Sequence, residues 1–138
     1  MISLLEEGGS SCRTLTFGPE AIARDLIDSA FVQRRVREGF ERCVAPDYIQ
    51  HNPTAADGRE AAISGFEKLF ERFPHLQYEI RRVLVTDDLV CIHALCRYDE
   101  HRASAIFDLW RADNDLIVEH WDAIQPIPTE SMNLHPMF

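Results

Sequence analysis

Leu116-Ile-Val-Glu-His-Trp-Asp-Ala-Ile-Gln-Pro-Ile-Pro128 is a run of strand-forming residues closed by two prolines, and it carries an imidazole and a carboxylate two positions apart. Successive side chains of a strand alternate between faces, so His120, Asp122 and Ile124 point one way and Glu119, Trp121 and Ala123 the other. A carboxylate on so apolar a run is costly to bury unless it is paired or has a chemical task.

Working upstream, Gln77 to Thr86, Leu89 to Tyr98 and Ala103 to Ala112 read as three more strands. They are joined at Asp87-Asp88, at Asp99 to Arg102 and at Asp113 to Asp115, and joints this short imply antiparallel neighbours. Two of these strands repeat the misplaced polarity: His93 shares a face with Leu89, Cys91 and Leu95, and Asp108 shares one with Ile106 and Trp110. His93, Asp108, His120 and Asp122 are therefore the candidate acid/base groups, while Trp121 reads as packing on the other face.

The first half of the chain is helical in pattern. Pro19-Glu20 opens a stripe through Ile22, Leu26 and Ile27, and a second helix is expected from about Phe31 to Val44, with Val32, Val36, Phe40 and Val44 at fourfold spacing. Ala45-Pro46 ends it, since a residue before proline avoids the helical region. A third helix is expected from Asp57 or Gly58 to Phe73, stopped by Pro74, with Ile63, Phe66, Leu69, Phe70 and Phe73 on its inner face. Between them, Asp47-Tyr-Ile-Gln-His-Asn-Pro53 is too short for a helix. Its Tyr48, His51 and Asn52 suit the mouth or wall of a pocket, or simply a polar turn.

Helices followed by a meander of strands is an α+β pattern, a curved antiparallel sheet with helices on one face. Val90, Ile92 and Ala94 oppose Leu89, Cys91 and Leu95, so the strands are apolar on both sides. The uncovered side calls for a homodimer through the back of the sheet.

The chain has 138 residues, which suits one domain: a loose segment over 1–18 and a single domain over 19–138. A net charge of −9 argues against nucleic acid or an anionic membrane as a partner. Arg34-Arg35-Val-Arg37 is followed by Glu38 and Glu41 and reads as a solvated helix face. Cys12, Cys43, Cys91 and Cys96 show no metal-binding spacing, and Cys91 and Cys96 fall on opposite faces of one strand, so free thiols in a reducing compartment are expected. The first residues lack the basic and apolar regions of a signal peptide, and a cytoplasmic location is expected.

Three segments carry a family resemblance: Tyr48-Ile-Gln-His-Asn-Pro53, Asp108-Leu-Trp-Arg111 and Ile117-Val-Glu-His-Trp-Asp-Ala-Ile-Gln125. From about residue 19 to the C-terminus the chain resembles the SnoaL-like polyketide cyclases of the nuclear transport factor two-like superfamily. The tail Asn133-Leu-His-Pro-Met-Phe138 is also similar to one bacterial branch of that group. The resemblance implies a cone-shaped barrel, a strongly curved sheet wrapped by about three helices around an apolar pocket, often dimeric. It also implies cofactor-free proton chemistry centred on an aspartate, which maps onto Asp122, with Asp108 and His93 as partners from adjacent strands. Phe66, Phe70 and Ile124 join Tyr48, His51 and Asn52 as candidate contacts to a small apolar substrate.

Enolisation or aldol closure needs a base near neutrality and a donor for the enolate oxygen. An aspartate desolvated in an apolar cone, with an imidazole beside it, can supply both. If water were the nucleophile, the same groups would open an epoxide. The rival expectation is a non-catalytic module that binds a ligand or only dimerises, its pocket filled by Phe66, Phe70 and Phe107. A metal held by His51, His93, His120 and a carboxylate has no spacing in its favour. Neither a metal nor a cofactor is expected.

Overall fold

A computed structural model describes residues 18–138. The expectation of a loose segment over 1–18, and the thiol of Cys12, lie almost wholly outside the described residues. Helix α1 spans Pro19–Ile27, with its proline at the start where no backbone N–H is needed. It runs on as a single π-helical turn over Asp28–Val32.

The second helix is shorter than the apolar spacing suggests. It occupies only Val36–Cys43, because the chain breaks at Arg34, which adopts a left-handed φ of 60°. The cause is tertiary. The Arg34 guanidinium donates to the Leu76 carbonyl at 2.5 Å and lies 3.9 Å from the centre of the Phe70 ring. Val32 is consequently 66% exposed, whereas Val36 and Phe40 keep their places in the core.

The segment after α2 is a fifth strand, β1, over Val44–Gln50. Pro46 is tolerated because β1 is an edge strand whose pairing is interrupted between Val44 and Ile49. Helix α3 follows over Arg59–Arg72, entered through Gly58 at φ +89°, a conformation that favours glycine. Strands β2 (Gln77–Thr86), β3 (Leu89–Arg97), β4 (Ala103–Asp113) and β5 (Leu116–Pro126) then form an antiparallel meander. Asn114 and Asp115 both take positive φ, which matches the twist of the β4–β5 hairpin.

The sheet order is β1-β5-β4-β3-β2, and β1 pairs in parallel with β5. The α+β cone is thus present, with its sheet open rather than closed into a ring. The helices cover the inner face, where Ile63, Ile92, Val90, Val44 and Ile117 are almost wholly buried. Complete burial of such a side chain stabilises the fold by roughly 1.5–3 kcal/mol.

Register decides which polar groups share a face. Asp108 lies opposite both Ile92 and Asp122, and Trp110 opposite His120, all on the inner side. His93 lies opposite Phe107, and a bulge between Ile80 and Arg82 brings Arg82 beside it, on the outer side.

Candidate active site

Between the helices and the inner face is a cavity of about 490 Å³. Aromatic rings, among them Phe31, Phe40, Phe66, Tyr78, Tyr98 and Trp110, make much of its wall. No lysine or arginine among the described residues lines it. Its polar floor is assembled from four strands, β1, β2, β4 and β5, and the loop after β1.

His120 is at the centre. Its Nε2 is 2.8 Å from Asp108 Oδ1 and 4.0 Å from Asp122 Oδ2, and its Nδ1 is 2.8 Å from Gln50 Oε1. The ring is flanked by Tyr48 and Trp110, with centroids 6.3 and 5.7 Å away. The second oxygen of Asp108 accepts from the Tyr78 hydroxyl at 2.5 Å. Asp122 accepts from the Asn52 amide through both oxygens, at 3.0 and 2.8 Å.

Asn52 is itself held. Its Oδ1 accepts from the Thr54 backbone N–H at 2.8 Å and from the Thr54 hydroxyl at 2.7 Å, so its NH₂ is the end turned to Asp122. Gln50 shares register with His120 across the parallel β1–β5 pair. Its Oε1 also accepts from the Asn52 backbone N–H at 2.9 Å, and its NH₂ donates to the Tyr48 oxygen at 3.0 Å.

Burial, and then the charges of Asp108 and Asp122, push the Tyr48 phenol up, and burial and Asp108 do the same to Tyr78. Both therefore stay protonated near neutrality and act as hydrogen-bond donors. The Cys96 thiol, also on the cavity wall, is pushed up by burial to about 11, which removes it as a thiolate nucleophile. Cys43, Cys91 and Cys96 are free.

Asp108, His120, Asp122, Tyr48, Asn52, Phe66 and Ile124 line one cavity, as the strand alternation around Asp122 requires. Three expected site residues do not. His93 points out of the opposite face, stacked on Phe107 at 4.2 Å and close to Phe138, with Arg82 Nη1 3.1 Å from its Nδ1. It is one residue out of phase with the inner-facing Ile92 and Ala94. His51, likewise one residue out of phase with Gln50 and Asn52, stacks on Trp121 at 4.7 Å and bonds Glu119 at 2.8 Å. Phe70 lies behind the wall, against Phe31 and the Arg34 guanidinium.

Two residues at the floor, Gln50 and Tyr78, were not among the expected ones. Gln50 is recoverable from sequence once residues 47–53 are treated as a strand, since alternation then puts Tyr48, Gln50 and Asn52 together and turns His51 away. Tyr78 offers no such signal, because its bond to Asp108 reaches from β2 to β4 across the intervening strand β3.

Asp108, His120 and Asp122 each present one ligand atom within 4.8 Å of the other two. Two carboxylates and an imidazole can hold a divalent ion. Here all three are already engaged by hydrogen bonds with one another or with Tyr78, Gln50 and Asn52.

A SnoaL-like domain model matches residues 23–120. The chain belongs to the SnoaL-like family. Solved structures share the fold at low identity. IdmH from Streptomyces antibioticus, a proposed polyketide cyclase, is similar at TM-score 0.70 and 19% identity, over 78% of this chain and 92% of its own. A proposed SnoaL-like polyketide cyclase from Jannaschia sp. CCS1 gives TM-score 0.69 and 20% identity, over 84% and 91%. A nuclear transport factor two-like protein of unknown function from Cytophaga hutchinsonii gives 0.67 and 12%, over 81% and 94%. No curated protein is similar enough to the sequence to count as a match. Among the described residues of this SnoaL-like chain, no helix is long and apolar enough to cross a membrane.

Proposed function

We propose that this SnoaL-like protein is a cofactor-independent enzyme that acts on a small apolar carbonyl compound by acid/base catalysis. The observation that carries this reading is the convergence of Asp122 and the Asp108–His120 pair on one open, ring-lined cavity. Asp122 is the base. It removes a proton α to the substrate carbonyl while a donor hydrogen-bonds the oxygen on which negative charge grows. In an aldol closure the enolate carbon attacks a second carbonyl of the same molecule, and the resulting alkoxide takes a proton from the Asp108–His120 pair. Tyr48 is placed to donate to the substrate oxygen, a role the Asn52 amide cannot share while both Asp122 oxygens hold it.

A small-molecule screen by thermal stabilisation finds a ligand first, because binding to the native state raises stability. Turnover is then compared with Asp122→Asn. A loss of about 100-fold or more at unchanged melting temperature is expected, on the usual worth of a positioned base. Full activity in that variant removes Asp122 from the mechanism.

The second reading is a ligand-binding module of the same fold. It is favoured by the pairing of every polar group at the floor, and disfavoured by a cavity that Phe66 does not fill. Ligand binding without turnover across ketones, esters and epoxides would favour it. The outer face, where Leu84 and Phe107 are 61% and 46% exposed, is proposed to bury against a second copy of the chain.

A further inference from the structure

The hydrogen-bond pattern at the floor fixes where protons lie. The backbone N–H of Asn52 can only donate, and it is 2.9 Å from one terminal atom of the Gln50 side chain. That atom is therefore the carbonyl oxygen, Oε1, and the amide nitrogen is the one that faces the Tyr48 oxygen. The same Oε1 is 2.8 Å from His120 Nδ1. A carbonyl oxygen can only accept, so Nδ1 carries a hydrogen.

The opposite nitrogen follows. His120 Nε2 is 2.8 Å from Asp108 Oδ1, and a contact this short between a nitrogen and a carboxyl oxygen holds a proton. Either the ring is neutral and Asp108 carries the proton, or the ring is an imidazolium facing a carboxylate. In both states one transferable proton lies on the Nε2–Oδ1 line. Tyr78 donates to the other Asp108 oxygen and leaves that line undisturbed.

We infer that Gln50 is a positioning residue that keeps His120 protonated at Nδ1, so that Nε2 is the nitrogen that trades a proton with Asp108 and the substrate. This rests on the acid/base reading of the site. It uses a residue on a different strand from the reacting groups, and the parallel β1–β5 register, Gln50 opposite His120, sets the contact through the backbone. Losing the acceptor frees the ring to adopt the other tautomer, which would place a fixed N–H against Asp108 and strand the lone pair on the wrong side.

The test is the two-bond proton–nitrogen spectrum of the imidazoles in ¹⁵N-labelled full-length protein at pH 8, with the His120 signals assigned by their absence in His120→Gln. In the wild type Nδ1 is expected to show the protonated shift. In Gln50→Leu the Nδ1 signal should move toward the unprotonated shift, and in Gln50→Glu, which keeps an acceptor oxygen, it should not. Gln50→Ala gives the same readout as Leu if that variant fails to fold. Once a substrate is in hand, Gln50→Leu should lower kcat by about 10-fold or more with KM little changed, as for loss of a correctly protonated donor. An unprotonated Nδ1 in the wild type, or identical spectra for wild type and both apolar variants, overturns the inference. A tautomer that moves while turnover stays at the wild-type rate overturns the acid/base reading instead.

Discussion

The two faces of the sheet carry similar residues in different circumstances. On the inner face, His120 and two aspartates converge on open space and are held by the neutral groups of Gln50, Asn52 and Tyr78. On the outer face, His93 and His51 lie flat on Phe107 and Trp121, with interplanar angles of 2° and 4°. Their polar partners are themselves charged: Arg82 beside His93, and Glu119 beside His51, the latter also held by Arg111 at 2.8 Å. A buried histidine in an apolar strand is therefore no guide to chemistry by itself, since His93 and His120 are 6% and 7% exposed. What separates the faces is whether the ring borders the cavity, as His120 does, or packs outside it, as His93 and His51 do.

The largest expected contrast is in turnover. Asp108→Asn should cost about 100-fold or more, because it removes the partner that shares the Nε2 proton. His93→Gln should leave the rate within about 2-fold, since a residue outside the cavity supplies no transition-state interaction. Parallel steady-state kinetics on the two variants check this, and equal losses would erase the distinction between the faces.

A smaller effect is expected in the pH dependence of stability. Desolvation first, and then the charge of Arg82, push the His93 imidazole below its ordinary value of 6.5, against a hydrogen bond to the Met137 backbone that works the other way. With the folded value lower, the unfolded chain takes up the proton first. The contribution of His93 is therefore present above about pH 6.5 and is lost as the pH falls from there through the folded value. Chemical denaturation between pH 7 and pH 5 should show a steeper loss for the wild type than for His93→Gln. Below this window a second loss belongs to Glu119, whose carboxyl is held under the usual carboxylate range by hydrogen bonds from His51 and then Arg111.

The smallest effect concerns the helix that roofs the cavity. Gly65 lies within α3 and lines the inner space, and a methyl group built on it meets nothing within 4 Å. Gly65→Ala should stabilise the protein by about 0.5–1 kcal/mol, as expected for an unstrained helix interior. Gly39 is the counterexample, since its added carbon would meet Ser29 Cβ at 2.8 Å, so Gly39→Ala should destabilise. Thermal melts of the two variants should shift in opposite directions.

Alternation along Leu116 to Pro128 by itself determined that His120, Asp122 and Ile124 share a face, and short polar joints determined the order of the antiparallel meander. Both are local properties, set by the two-residue period of a strand and the reach of a tight turn. Which face looks inward was decided only by packing. His93 and Asp108 each sit among apolar neighbours, and adjacent strands can be paired in either phase without altering the composition of either one. The β3–β4 register puts His93 opposite Phe107 and Asp108 opposite Ile92, and that one-residue phase separates a stacked outer ring from a floor carboxylate. Likewise, Pro46 concealed an edge strand, and the Arg34 break in the second helix depends on Leu76 and Phe70, which lie far along the chain. Gln50 and Tyr78 reach His120 and Asp108 only because the fold sets distant strands side by side, and no spacing along the chain encodes such a meeting.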